Sequence, residues 1–340
     1  MTEELRLDYD AFLRSFKRNT DVPHSILLGA GASISSGIQS AYDCIWEWKK
    51  DIYLSKNINA SDYYKNYKED SVRKSIQKWL DSQGEYPELD SNEEYSFFAE
   101  KAYPISDDRR KYFLSLIENK EPYIGYKLLC LLAEHNIIKS VWTTNFDGLI
   151  VRSAHQNKLT PIEINLDNVD RIYRNQSNKE LLAIALHGDY KFSSLKNTVE
   201  ELDSQNEVFI ENLSNYHLDK NLIITGYSGR DKSLMDALLK AFTRKGAGRL
   251  YWCGYGSEIS DEVSKLLRTV RDSGREAHYV TTDGFDKTII HLAKSAFEDN
   301  DSLSQEIQNA LESSENEEYL KTEFHLNFSN TGKYIKSNLH

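Results

Sequence analysis

The stretch SILLGAGAS, residues 25–33, runs from an apolar segment into Gly29-Ala30-Gly31-Ala32-Ser33. An apolar run that ends in glycines is typical of a buried strand entering a tight loop. The pattern that follows is helical, and a strand–glycine loop–helix unit lets backbone N–H groups approach a phosphate. The spacing is not GxGxxG, because Ile34 stands where the third glycine belongs. A purely structural strand-to-helix turn stays open as the alternative for this motif alone.

Five later segments share the same form, an apolar or β-branched run that ends in small or polar residues. They are residues 137–147, 181–190, 221–231, 248–256 and 275–286. Helical patterns separate several of them, as at 231–245 and 257–274. This alternation predicts an α/β fold, a Rossmann-like doubly wound parallel sheet, with ligands beyond the carboxyl ends of the strands.

A run of helical patterns without an intervening strand interrupts this alternation at about 45–125, which predicts an inserted helical module. We expect one domain over residues 1–300 that carries this insertion. Residues 299–318 are rich in Asp, Ser, Glu and Asn, which predicts a linker or an exposed helix. We expect 301–340 to be a linker or the start of a C-terminal extension.

Composition limits the class of protein. Asp and Glu outnumber Lys and Arg by 53 to 42, for a net charge of −11, which does not indicate nucleic-acid binding as the main role. The three cysteines include no CxxC pair, so we expect no local zinc site, no metal and no disulfide framework. No apolar run approaches the length of a membrane span, and we expect a soluble, cytoplasmic protein without a membrane partner.

Polar residues stand at the predicted strand ends. In TTNFD, residues 143–147, the amide of Asn145 offers donors and acceptors that suit ribose hydroxyls or a positioned water. His187, in the triplet HGD, can act as a general base near neutral pH. Because both residues sit at strand ends, neither is expected to anchor the core. Capping of strands and helices is the alternative for each motif.

Three further loops follow the later strands. In GYSGRD, Gly226 and Ser228 can bind phosphate or ribose, and Asp231 can cap the next helix. The loops containing Gly254 and Asp283 are predicted to border an adenine or to act as turns.

In this order the motifs GAGAS, TTNFD, HGD and GYSGRD resemble the sirtuin, or SIR2-like, family of NAD-binding domains, over about residues 20–290. The resemblance implies that the glycine loop holds the phosphates of NAD⁺, that Asn145 lies at the nicotinamide ribose, and that His187 is the catalytic base. Asp147 is predicted to polarise or place the nicotinamide amide. The predicted cofactor-binding residues are Gly29, Ala30, Gly31, Ser33, Thr144, Gly226, Tyr227, Ser228, Asp231, Gly254, Asp283 and Phe285.

The sequence also departs from deacetylating sirtuins. It lacks their zinc module with two CxxC pairs, and Gly37-Ile38-Gln39-Ser40-Ala41 replaces their GIPDFR segment. It resembles more closely the SIR2-like domains of bacterial antiphage defence systems. That resemblance implies a hydrolase that cleaves NAD⁺, its substrate, into nicotinamide and ADP-ribose.

Alternatives stay open at this point. A zinc-free protein deacylase or ADP-ribosyltransferase has the same fold, and a non-catalytic sensor of NAD or ADP-ribose would have the same pocket. For the hydrolase we expect a homo-oligomer held inactive until a phage-derived trigger, sensor domain or partner protein acts, with the helical module as a candidate lid. Arg230, Lys232 and Arg244 are candidates for contacting the 2′-phosphate of NADP⁺, or simply parts of a solvated helix face.

Overall fold

One seven-stranded parallel sheet organises the chain, in a computed structural model that describes residues 3–58, 62–91, 93–186 and 210–314. The strand order is β3-β4-β2-β1-β5-β6-β7. This confirms the predicted Rossmann-like α/β fold. The strands are β1 (His24–Leu28), β2 (Ile138–Thr143), β3 (Thr160–Ile164), β4 (Glu180–Ala185), β5 (Asn221–Thr225), β6 (Leu250–Tyr255) and β7 (Ala277–Thr282).

Helices cover both faces of the sheet. One face packs against α1 (Tyr9–Arg18), α6 (Ile124–Glu134), α7 (Leu149–Gln156), α11 (Phe285–Ala296) and α12 (301–314). The other packs against α8 (210–216), α9 (Lys232–Phe242) and α10 (Asp261–Asp272). Side chains alternate between the faces along each strand, so that Ile26 and Leu28 contact the first core and Leu27 the second. Among the described helices, none is long and apolar enough to cross a bilayer.

The central strand β1 marks the point where the strand order reverses. It pairs with β2 on one side and with β5 on the other, and all five of its residues are buried. In doubly wound sheets the crevice beyond the carboxyl end of such a strand is where ligands bind. The loops after β1, β2 and β5 therefore meet at the expected position of a site.

The edge strand β3 is absent from the predicted set. It is five residues long and contains Pro161, a residue that disfavours strands. Thr160 N donates to Lys179 O at 2.7 Å, so the next nitrogen along the strand, that of Pro161, faces away from β4. Proline is tolerated there because no ladder hydrogen bond is lost, and it blocks pairing with another strand.

The predicted helical module consists of α2 (Ala41–Lys56), α3 (Asp70–Gln83), α4 (Glu94–Ala102) and α5 (Ser106–Ile117). These helices enclose a hydrophobic core of their own. Within it the fully buried Lys49 ammonium bonds to Glu94 and donates to Gln77 Oε1 at 2.8 Å. Removing one member of such a pair leaves a buried charge and typically costs about 3–5 kcal/mol. The pair joins α2 to α4, and the hydrogen bond to Gln77 adds α3.

The chain beyond 300 begins with a helix, one of the two predicted alternatives. Residues 301–314 form α12, whose Ile307 and Ala310 are buried against the sheet domain. The few apolar residues of this segment share one helix face, so the helix packs on the sheet domain although its composition is polar. The rest of the predicted extension, 315–340, lies outside the described residues.

Two buried histidines make the stability of this fold sensitive to acid. Burial lowers the pKa of His24 to about 4 and that of His217 to about 3, against an ordinary value near 6.5. The folded state keeps both rings neutral, whereas the unfolded chain protonates them below about pH 6.5. Stability that is present at neutral pH is therefore lost as the pH falls, by about 3 kcal/mol at His24 by pH 4.

We expect His24→Gln to lose less unfolding free energy than the wild type between pH 7.5 and pH 4.5, because it removes one of these linked protonations. Guanidinium unfolding at both pH values measures the difference. His155→Gln, at an exposed histidine, serves as the control and should keep the wild-type pH dependence. Equal pH dependence in all three proteins would refute the assignment.

Candidate functional site

The loops after β1 and β5 are in direct backbone contact. Gly29 N donates to Thr225 O at 3.1 Å, and Gly31 N donates to Gly226 O at 2.8 Å. These hydrogen bonds continue the pairing of β1 with β5 beyond the sheet. We call this contact the loop clasp; it consists of residues 29–33 and 225–228.

Glycine is required where the two loops touch. A Cβ on Gly29 would lie 2.5 Å from Gly226 O, and one on Gly226 would lie 2.5 Å from Ala32 N. Gly226 also has φ +67°, which favours glycine. The sequence predicted that Gly29 and Gly31 are bare so that a pyrophosphate can approach. In the structure their bare sides face the β5 loop, so a ligand has to approach the glycine loop from another direction.

The glycine loop does not open an α-helix. Ala30–Ser33 form one 3₁₀ turn, and α2 begins only at Ala41, after Ser40, whose Oγ accepts from Asp43 N at 3.1 Å. The predicted unit of strand, glycine loop and helix is therefore wrong at its last part, because no α-helix follows the loop directly. A single short turn does not build up the dipole of a helix N-terminus.

A buried polar cluster ties the loop clasp to β2. It consists of Ser33, Tyr126, Asn145 and Asp147, which we call the Ser33 cluster. Ser33 Oγ donates to Asp147 Oδ2 and accepts from Asn145 Nδ2 at 3.0 Å. Tyr126 Oη lies 3.3 Å from Ser33 Oγ. No sequence signal marks Tyr126, because it stands within the apolar pattern of α6.

The amide of Asn145 is fixed in orientation. Its Nδ2 donates to Gly29 O at 2.9 Å as well as to Ser33 Oγ, so both amide hydrogens have partners. A flipped amide would set Oδ1 against the Gly29 carbonyl, which cannot donate. Oδ1 lies 3.5 Å from Thr144 Oγ1 and retains capacity to accept from a ligand hydroxyl or a water. Contrary to the sequence expectation, Asn145 thus has a structural role, as an anchor of the glycine loop.

Asp147 is engaged within the protein on both oxygens. Oδ1 accepts from Leu149 N at 2.9 Å, at the start of α7, and Oδ2 accepts from Ser33. Burial raises the pKa of this carboxyl above its usual range, while the hydrogen bonds from Ser33 and Leu149 oppose that rise. The side chain is only 7% exposed. This geometry favours a positioning role for Asp147 over the predicted contact with the nicotinamide amide.

The β5 loop exposes some polar side chains and packs others. Ser228 is exposed, whereas the ring of Tyr227 packs on Trp252 with centroids 5.7 Å apart. Asp231 caps α9, as predicted, accepting from Ser233 N at 2.9 Å and Leu234 N at 3.2 Å. Of the predicted contacts in this loop, Ser228 is the one whose side chain is open to a ligand.

Comparison with known proteins adds an independent finding. The family model described as SIR2-like domain matches residues 139–276, from β2 to the residue before β7. Over these residues the chain is similar to SIR2-like domains. No curated protein matches the chain. The match includes Asn145, Asp147 and the β5 loop, confirms the resemblance inferred from the strand-end motifs, and indicates an NAD-related function.

Two residues from the loops predicted to border an adenine have packing roles in the structure. Gly254 lies inside β6, and a Cβ there would meet Tyr279 Oη at 2.1 Å, so its bare side makes room for that ring. Phe285 is buried in the core against Tyr126, with ring centroids 4.9 Å apart. The small Gly254 and the apolar Phe285 therefore contribute to packing. Asp283 is exposed and pairs with Lys287 at 3.3 Å, which leaves it accessible.

The remaining predicted residues fall into three groups. His187 lies outside the described residues. Arg230 and Lys232 are exposed at the start of α9, on the carboxyl side of the sheet. Arg244 follows the other end of α9 and donates to Asn215 Oδ1 at 2.9 Å, so it cannot reach a ligand at this site.

A second carboxyl, partly buried, lies beside the Ser33 cluster and was missed by sequence reasoning. Asp286 Oδ1 accepts from Gly125 N at 2.9 Å, and burial raises the pKa of the carboxyl. It ties the start of α11 to the start of α6, next to Tyr126. Across the described ranges no three His, Cys, Asp or Glu side chains are grouped so that they could hold a metal ion.

We expect Gly226→Ala to destabilise the protein more than Gly256→Ala. Both positions have positive φ, +67° and +79°, but a Cβ on Gly256 meets nothing within 4 Å. The alanine at 226 has to push the loop clasp apart, at an additional cost of roughly 1–3 kcal/mol. Denaturant unfolding of both variants measures the difference, and equal losses would show that the clasp is not tightly packed.

Proposed function

We propose that this chain hydrolyses NAD⁺ at the bond between nicotinamide and ribose, which gives nicotinamide and ADP-ribose. The observation that carries the proposal is the Oδ1 of Asn145, an oriented acceptor beside the loop clasp in a SIR2-like domain. Its amide cannot turn, so the position of that acceptor is set before a ligand binds. Such preorganisation is what a reaction with a short-lived cationic sugar requires.

The reaction requires little covalent participation by the protein. The C1′–N bond breaks, its electron pair leaves with neutral nicotinamide, and the ribose passes through an oxocarbenium-like state. Water then adds to C1′ and loses a proton. Asn145 Oδ1 is suited to accept a hydrogen bond from a ribose hydroxyl or from that water. His187 is proposed as the base that takes the proton.

Other residues support this arrangement indirectly. Asp147 holds Ser33, and Ser33 accepts from Asn145, so the carboxyl sets the direction of the amide through one hydroxyl. We propose that the loop clasp and Ser228 contact the diphosphate and ribose. The crevice at the reversal of strand order supports a dinucleotide in this place.

We further propose that the activity serves defence against phage, by depleting cytoplasmic NAD⁺ on infection. Support comes from the resemblance of TTNFD, GYSGRD and the helical insertion to the SIR2-like domains of antiphage systems. An unrestrained NAD⁺ hydrolase would deplete its own cell, so a trigger, a partner protein or assembly into a homo-oligomer is expected to release it.

Nicotinamide release from NAD⁺ by the purified chain tests the reaction. We expect Asn145→Ala and His187→Ala to lower kcat by about 10²–10⁴-fold, because each removes a group that acts on the reacting ribose or water. His155→Ala, at an exposed histidine, is the matched control and should keep the wild-type rate. Full activity in either of the first two folded variants would contradict its assignment.

The same assay separates the alternatives. Release without an acceptor supports hydrolysis, and release only with an acylated peptide or protein acceptor indicates a deacylase or ADP-ribosyltransferase. Binding of NAD⁺ without turnover indicates a sensor.

In bacteria we expect NAD⁺ to fall only after phage infection, and only when His187 is present. Mass spectrometry of cellular NAD⁺ in cells expressing the wild type or His187→Ala measures this. Unchanged NAD⁺ in infected cells with good wild-type expression would contradict the defence role.

A further inference from the structure

The helical module is held to the sheet domain at both of its connections. In the segment that enters it, Ser36 Oγ accepts from Tyr123 N of the segment that leaves it, at 3.0 Å. Arg152 of α7 donates to Lys120 O, and Gln156 of α7 donates to Glu121 Oε2 at 2.7 Å. These bonds join the two connections to each other and to α7. They favour a module that is fixed in place over the candidate lid.

One contact runs from the module to the segment that carries the site. The ring of Phe113, in α5, packs on the ring of Phe146 with centroids 6.3 Å apart and planes at 40°. Phe146 stands between Asn145 and Asp147 in the chain. Its ring is therefore attached to the same short backbone segment as the fixed amide and the buried carboxyl.

Phe113 is itself held by the core of the module. Its ring lies 6.2 Å from that of Trp48 and 5.5 Å from that of Tyr112. Trp48 is fully buried in α2, next in sequence to Lys49 of the buried ion pair. A chain of packed side chains thus leads from the interior of the module to Phe146.

We infer that Phe113 is a positioning residue, which fixes the Asn145–Asp147 segment from outside the sheet domain. On the inner side the segment is held by Asn145 N, which donates to Thr143 Oγ1 at 2.9 Å, and by the Ser33 cluster. On the outer side it is held by the Phe113 ring. The kinetic consequence rests on the proposed NAD⁺ hydrolysis, whereas the structural consequence does not.

The test combines amide hydrogen exchange with kinetics. In Phe113→Leu we expect the peptide covering residues 144–149 to exchange faster than in the wild type, because local opening becomes easier. We expect kcat for nicotinamide release to fall roughly 10- to 100-fold, as misplaced reactive groups typically cause, with a smaller change in KM. Phe113→Tyr keeps the ring and should restore both values.

Phe97→Leu is the matched control. Phe97 is a partly buried aromatic of the same module core and packs on Tyr86 and Phe98. It should leave the exchange of residues 144–149 and kcat unchanged. If Phe113→Leu unfolds the module, Phe146→Leu replaces it, since it removes the same ring contact from the other side.

Unchanged exchange at 144–149 in Phe113→Leu, or an equal rise in Phe97→Leu, would overturn the inference. A wild type that releases no nicotinamide would refute the proposed function instead. In that case the exchange measurement still decides the role of Phe113.

Discussion

The contact between the glycine loop after β1 and Gly226 after β5 is the constraint on which the site depends. Gly29 and Gly31 each donate a backbone hydrogen bond to the β5 strand end, and no side chain fits between the loops. The contact sets where the 3₁₀ turn at Ala30–Ser33 lies, and so where Ser33 projects. Glycine serves here to bring two backbones together. A glycine loop after a strand is equally typical of phosphate binding, so the sequence pattern alone does not distinguish the two roles.

This contact determines the positions of the polar side chains of the site. Ser33 meets Asp147, Asn145 bridges Ser33 and the Gly29 carbonyl, and the acceptor of the amide is left beside the clasp. Three strands that are neighbours in the sheet, β2, β1 and β5, thereby contribute to one rigid site at the reversal of strand order. Rigidity of this kind suits a site that stabilises a transient charge on its ligand. The module adds a support from outside.

Much of the fold could be predicted from the sequence, because six of the strands are apolar runs with polar ends and the helices have clear periodicity. The edge strand at Thr160–Ile164 was not predicted, since it is short and contains proline. For α12 the polar composition left a linker and an exposed helix as alternatives, and it did not show that Ile307 and Ala310 are buried. At the site, Asn145 and Asp147 share the loop after β2, but their partners Ser33 and Tyr126 come from distant parts of the chain. A position near a strand end also does not reveal that Phe285 points into the core or that Gly254 makes room for the ring of Tyr279.

A crystal structure of the chain with ADP-ribose would show whether the loop clasp and Asn145 bind the ligand, since ADP-ribose keeps the diphosphate and both riboses without the labile bond. We expect the diphosphate to lie along residues 29–33 and 226–228. We also expect a hydroxyl of the terminal ribose within hydrogen-bond distance of Asn145 Oδ1, with the amide unturned. ADP-ribose bound away from the clasp, or an Asn145 amide that turns to donate to the ligand, would contradict the proposed site.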